Sequence, residues 1–136
     1  MNPRPEEWIQ KAEGDYATAK REFDVTEEPN YDAVCFHAQQ CAEKYLKAVL
    51  VLKDLEVPRI HDLLAILNVL AAVNISVDTL RDGANMLSTQ AVEVRYPGVS
   101  ADKEDALLAL GAAEAIRRAM REELGIAGET TQEDSV

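Results

Sequence analysis

The segment from Asn30 to Asp54 carries more apolar positions than a one-sided helix needs. On a helical projection Tyr31, Val34, Ala38, Cys41, Ala42, Tyr45, Val49 and Leu52 form one continuous stripe. Roughly opposite lie Phe36, Leu50 and Val51, interleaved with Gln40, Glu43, Lys44 and Lys47. A surface helix of a small protein has one apolar face and a solvated back. The pattern therefore predicts a helix packed on two sides, one of which meets a charged, hydrogen-bonding seam.

The rest of the chain shows helical periodicity and no strand-like alternation. Trp8, Ala12, Tyr16, Ala19 and Phe23 mark a first helix from Pro5 to Phe23, where Pro5, Glu6 and Glu7 suit a first turn. Asn30 can cap the second helix, which runs to about Leu55 before Pro58 breaks the pattern. His61 and Asp62 open a short third helix on Leu63, Leu64, Leu67 and Leu70. Ser76 can cap a fourth, built on Val77, Leu80, Ala84, Leu87 and Ala91 and ended near Val94 by Arg95-Tyr96-Pro97-Gly98. Ser100 can cap a fifth, with Leu107, Leu110, Ala113, Ile116, Met120 and Leu124 inward and Gly125 as its stop. The expectation is an all-α, up-and-down four-helix bundle with an additional short helix over residues 1–125, followed by an acidic disordered tail over 126–136.

Composition narrows what such a bundle can do. At 136 residues the chain is long enough for one core without disulfides or metal. No apolar run approaches the ~20 residues that cross a membrane, and the start lacks a signal-peptide apolar region, which reads as a cytoplasmic protein. The formal net charge of −11 argues against broad electrostatic binding of nucleic acid. Any phosphate contact must come from a few cations held in one place. Cys35 and Cys41 are six residues apart on one helix, about 9 Å along its axis, beyond disulfide reach.

The seam supplies the candidate chemistry. Glu43 and Lys47 are spaced for an ion pair on one helix, with Gln40 and Lys44 extending the line. Two lysines and an amide at this spacing can hold a phosphate or a carboxylate. Arg95 and Tyr96 stand where Pro97 ends a helix, so Arg95 either bonds the last carbonyls or is presented into a groove. His61 beside Asp62 either packs its ring or belongs to a base-and-orienter pair. His37 and Cys41 have a spacing compatible with two metal ligands, but no third or fourth accompanies them, so no metal and no cofactor is expected.

Three blocks, in this order and spacing, resemble the signatures of the HEPN (higher eukaryotes and prokaryotes nucleotide-binding) domain family. They are Ala38-Gln39-Gln40-Cys41-Ala42-Glu43-Lys44-Tyr45-Leu46-Lys47-Ala48, Arg59-Ile60-His61-Asp62-Leu63 and Arg95-Tyr96-Pro97. Trp8, Ala12 and Asp15-Tyr16 also fit, so the resemblance runs from about Glu6 to Leu124. It implies a bundle of four to five helices, a homodimer, and a groove at or near the dimer interface. It also implies a minimal nucleotidyltransferase partner, in several cases as a toxin–antitoxin pair, and a nucleotide or RNA ligand. Catalytic members are metal-independent ribonucleases with an arginine followed four to six residues later by a histidine. Arg95 matches the arginine, whereas Ser100, Ala101 and Asp102 stand where the histidine belongs, and no histidine follows His61.

Three readings remain at this point. The first is a nucleotide- or RNA-binding dimer whose site takes Gln40, Glu43, Lys44, Lys47, His61, Arg95 and Tyr96. In it Lys44, Lys47 and Arg95 neutralise phosphate, Tyr96 stacks on a base and Glu43 orients a cation. The second is a metal-independent ribonuclease using Arg95 and His61. The third is a purely structural dimerisation module, in which Glu43 and Lys47 form a buried pair that fixes register.

Overall fold

The structure, a computed structural model, describes residues 3–126. Five α-helices build it: α1 (Pro5–Phe23), α2 (Tyr31–Leu52), α3 (Leu63–Ala72), α4 (Arg81–Glu93) and α5 (Lys103–Glu123). No strand occurs among the described residues. Helix α2 is the axis, packing against α1, α3, α4 and α5. Pairings along its length set the directions. Asn30 N–H donates to Glu22 at the end of α1 (2.7 Å), and Tyr45 meets Glu13 farther along, so α1 and α2 are antiparallel. Asp32 accepts from Ala101 N–H (2.7 Å) while Arg121 reaches Tyr45 (3.0 Å), so α5 runs parallel to α2.

The two-sided apolar pattern has a direct cause. Val34, Ala38, Cys41, Ala42, Tyr45 and Val49 are buried on one side of α2, and Leu46 and Leu50 are buried on another. Ala12 and Ala19 on α1, with no side chain beyond Cβ, let that helix lie close against α2. Leu63, Ile66, Leu67 and Leu70 of α3, with Leu80, Ala84 and Leu87, complete the core from the other flank. A smaller cluster of Ala19, Val34, Ala106 and Leu110 closes one end, where the rings of Phe23 and Tyr31 tilt against each other at 6.2 Å.

Several boundaries and orientations differ from the sequence expectation. The stripe on α2 stops at Val49: Leu52 ends the helix and is 46% exposed. Leu107 points outward, 56% exposed, because Ala106, Ala109, Leu110 and Ala113 already fill the inner face of α5. The fourth helix starts not from a Ser76 cap but through a short 3-10 turn, Asp78–Leu80, that runs into α4. Asp102 rather than Ser100 caps α5, accepting from Asp105 N–H (2.8 Å) while Asp105 accepts from Asp102 N–H (3.0 Å). This reciprocal box satisfies two otherwise orphan donors.

Three helices end in the same way. After α2, α3 and α5, Asp54, Asn74 and Gly125 take positive φ (59°, 70° and 75°). The next residue then donates back to the carbonyls of Leu50, Leu70 and Arg121, which closes each helix sharply. The acidic tail expected from 126 onward lies, apart from Ile126, outside the described residues.

Candidate functional site

Gln39, Glu43 and Lys47 recur every four residues, so α2 stacks them on one side, and all three are buried. Lys47 Nζ donates to Glu43 Oε2 at 2.7 Å and Gln39 Nε2 donates to Glu43 Oε1 at 2.9 Å. The third donor comes from the connector between α2 and α3, where His61 Nδ1 lies 3.0 Å from Glu43 Oε2. Burial pushes the Glu43 carboxyl up. The hydrogen bonds from Lys47, Gln39 and His61, with the Lys47 charge, outweigh it and hold the group below the usual carboxylate range. Glu43 is therefore ionised and only accepts.

That fixes the histidine. Against an acceptor-only carboxylate, Nδ1 of His61 must carry the hydrogen, so Nε2 is the free edge of the ring. The His61 side chain is 78% exposed while that of Glu43 is 5% exposed. A carboxylate sealed in the protein thus aims an imidazole outward. Lys47, in turn, lies 5.6 Å from the centre of the Trp8 ring on α1, whose face attracts the ammonium. Gln40 joins through Gln39, donating to its Oε1 at 2.9 Å.

Lys44 leaves this group for α1. Its Nζ donates to Asp15 Oδ2 at 2.6 Å, and His37 Nδ1 approaches Asp15 Oδ1 at 2.8 Å. Arg95 and Tyr96 lie in the turn after α4, where Gly98 takes φ +87° and Val99 N–H donates to Tyr96 O (3.2 Å). Both are exposed, and among the described residues neither side chain makes a hydrogen bond or ion pair. Ser88, Val92 and Arg95 recur at helical spacing, and Ser88 Oγ accepts from Leu63 N–H (3.1 Å), two residues beyond His61. Arg95 lies beyond the end of α4, and among the described residues no hydrogen bond or ion pair joins it to the His61 connector.

The structure also holds a polar network that sequence reasoning missed. Arg117 donates from Nε and Nη2 to the two oxygens of Glu13 (2.7 and 3.0 Å), and Tyr45 donates its hydroxyl to the same carboxylate. Arg121 caps the Tyr45 oxygen at 3.0 Å, and the Arg117 guanidinium lies 4.3 Å from the centre of the Tyr16 ring. The network joins α1, α2 and α5 inside the bundle, so it reads as a fastening rather than a ligand site. An open depression of about 420 Å³ lies elsewhere, lined by Glu28, Pro29, Asn30, Tyr31, Asp32, Ser100 and Ala101. Its carboxylates, with no cation among the lining residues, suit it poorly to phosphate. No group of three His, Cys, Asp or Glu side chains among the described residues can hold a metal, and no helix there is long and apolar enough to cross a membrane.

Comparison with known proteins agrees with this architecture. A family model described as HEPN domain matches residues 5–124. No curated protein matches the chain. The crystal structure of TT1696 from Thermus thermophilus superposes with a TM-score of 0.76 at 24% identity, covering 90% of this chain and 99% of that one. ST0689, an archaeal HEPN homologue, superposes at 0.70 with 28% identity, covering 90% and 98%.

Proposed function

Because the chain belongs to the HEPN domain family over residues 5–124, we propose that it works as a homodimer that binds a nucleotide or an RNA end along the α2 seam. In this reading its partner is a minimal nucleotidyltransferase, with which it forms a toxin–antitoxin-like pair. The observation that carries the binding site is the buried, ionised Glu43 holding an outward-facing His61. Arg95, exposed in the turn after α4, supplies a lasting positive charge for phosphate in this reading. Tyr96, 63% exposed, offers a ring on which a base can stack.

The third reading, a purely structural dimer contact whose register the Glu43–Lys47 pair fixes, differs from this one in requiring a second subunit to cover the seam and leave no ligand site. Glu43 and Lys47 are already buried within one chain, by Gln39, His61 and Trp8. Titration of fluorescent AMP and of a 5′-phosphorylated oligoribonucleotide tests the binding reading. Wild type should bind both, and His61→Ala and Arg95→Ala should each weaken binding about tenfold, the scale of one charged hydrogen bond. Equal, negligible binding by all three proteins refutes it. Co-expression with a minimal nucleotidyltransferase from the same genome tests the partnership, which requires the two chains to co-elute.

One observation favours a second reading, a metal-independent ribonuclease using Arg95 and His61. A carboxylate behind Nδ1 is the arrangement that lets Nε2 take a proton from a reacting hydroxyl. Cleavage of RNA in excess chelator, lost in His61→Ala, supports it; an inert wild-type protein rules it out.

A further inference from the structure

Both histidines of the described residues are held alike. His37 and Lys44 share the Asp15 carboxylate, and His61 and Lys47 share that of Glu43. In each cluster the lysine charge is matched by the carboxylate, so neither lysine is a free cation for a ligand. The clusters differ in exposure, with 29% of the His37 side chain open to solvent against 78% for His61. The ligand-facing group of the seam is therefore an imidazole edge, with exposed Arg59 two residues before it on the same connector.

We propose that His61 is a proton-linked contact for a phosphate monoester, with Glu43 as its positioning residue. This deepens the binding reading above and rests on it. In the free protein Nδ1–H donates to Glu43 and the exposed ring leaves Nε2 open to a ligand. A phosphate dianion seated at Nε2 draws a proton from solvent onto that nitrogen, which then donates to a phosphate oxygen; no covalent bond forms or breaks. The groups facing the ring allow this. Glu43 from α2 steadies the imidazolium from behind, and Lys47 offsets the charge of Glu43. Arg59 adds positive charge, while the Asp62 carboxylate is engaged at 3.0 Å by Leu64 N–H. Trp8 of α1, against Lys47, and Ser88 of α4, against Leu63 N–H two residues beyond His61, bring no charge to the neighbouring contacts.

Calorimetry of AMP binding to the full chain, in buffers of differing ionisation enthalpy at one pH, reads the linkage directly. Net proton uptake on AMP binding is expected, with affinity falling as pH rises. Adenosine should show neither effect. A 5′-phosphorylated oligoribonucleotide should behave like AMP and its 5′-hydroxyl counterpart should not, if the natural source is an RNA end; uptake with AMP alone assigns a free nucleotide. His61→Asn should abolish the uptake. Nitrogen NMR of the wild type gives a readout independent of any variant: His61 should carry its proton on Nδ1 at high pH, and Glu43→Gln should shift it towards a mixture of tautomers. AMP binding without proton uptake, or a wild-type His61 protonated on Nε2 alone, overturns this proposal and leaves the binding reading standing. Absence of any binding overturns both.

Discussion

Glu13 holds more of the bundle together than any other single carboxylate described. Burial pushes its carboxyl up, but hydrogen bonds from Arg117 and Tyr45 and the charges of Arg117 and Arg121 outweigh that and hold it below the usual range. Glu13→Gln would leave two arginines in the bundle without their shared anion. Breaking such a pair costs several kcal/mol when sealed; since Glu13 is 36% exposed, a loss of about 2–3 kcal/mol in urea unfolding is expected. The pH dependence follows from the same group and from Glu43. A carboxyl whose folded value is depressed adds stability that is complete above its unfolded value and fades as pH falls through the folded one. Melting temperature should therefore be flat above about pH 5 and drop below the ordinary carboxylate value of 4.5, less steeply in Glu13→Gln. Little of this was legible in the chain. Glu13 and Arg117 lie far apart in sequence on different helices, and periodicity places a charge on a face without naming its partner. The same holds for Lys44, whose spacing puts it in line with Lys47 while Asp15 of α1 draws it away. The Glu43–Lys47 pair was legible because both residues share one helix.

At the scale of elements, existence was easier to read than edges. The first two helices follow their apolar spacing and end within a few residues of expectation, since α2 must bury side chains on two flanks. Caps were harder, because Ser100 and Asp102 both have the chemistry and only Asp102 stands three residues before an acid that can return the bond. The close approach of α4 and α5 was also hidden. A Cβ built on Gly83 would lie 2.9 Å from Ala112 Cβ, so these helices meet where one residue has no side chain. Gly83→Val should force them apart and cost about 1–3 kcal/mol, despite the better helix propensity of valine. Gly111 has nothing within 4 Å of the same built atom, so Gly111→Ala is the matched control and should leave the midpoint unchanged or raised.

For the molecule as a whole, the charge of −11 sets the style of any encounter with nucleic acid. A net negative charge gives no long-range attraction to RNA, so binding in this reading depends on Arg59, Arg95 and His61 at short range. Two or three phosphate contacts to a single strand predict a shallow salt dependence, with log K against log salt falling at about −1.4 to −2. A much steeper slope would mean that a larger basic surface assembles with a partner. The two cysteines bear on how such assembly could be followed. Cys35 and Cys41 are buried, and burial followed by nearby carboxylates pushes their thiols up to about 11 and 12. Thiolate is the reactive form, so the folded chain should resist maleimide at neutral pH and label only once unfolded. The native sequence is thus its own blank background for chemical probes. A single cysteine introduced at exposed Leu108 could carry a dye or spin label with no prior removal of either natural thiol, and the distance between two labels would report how subunits sit together in solution.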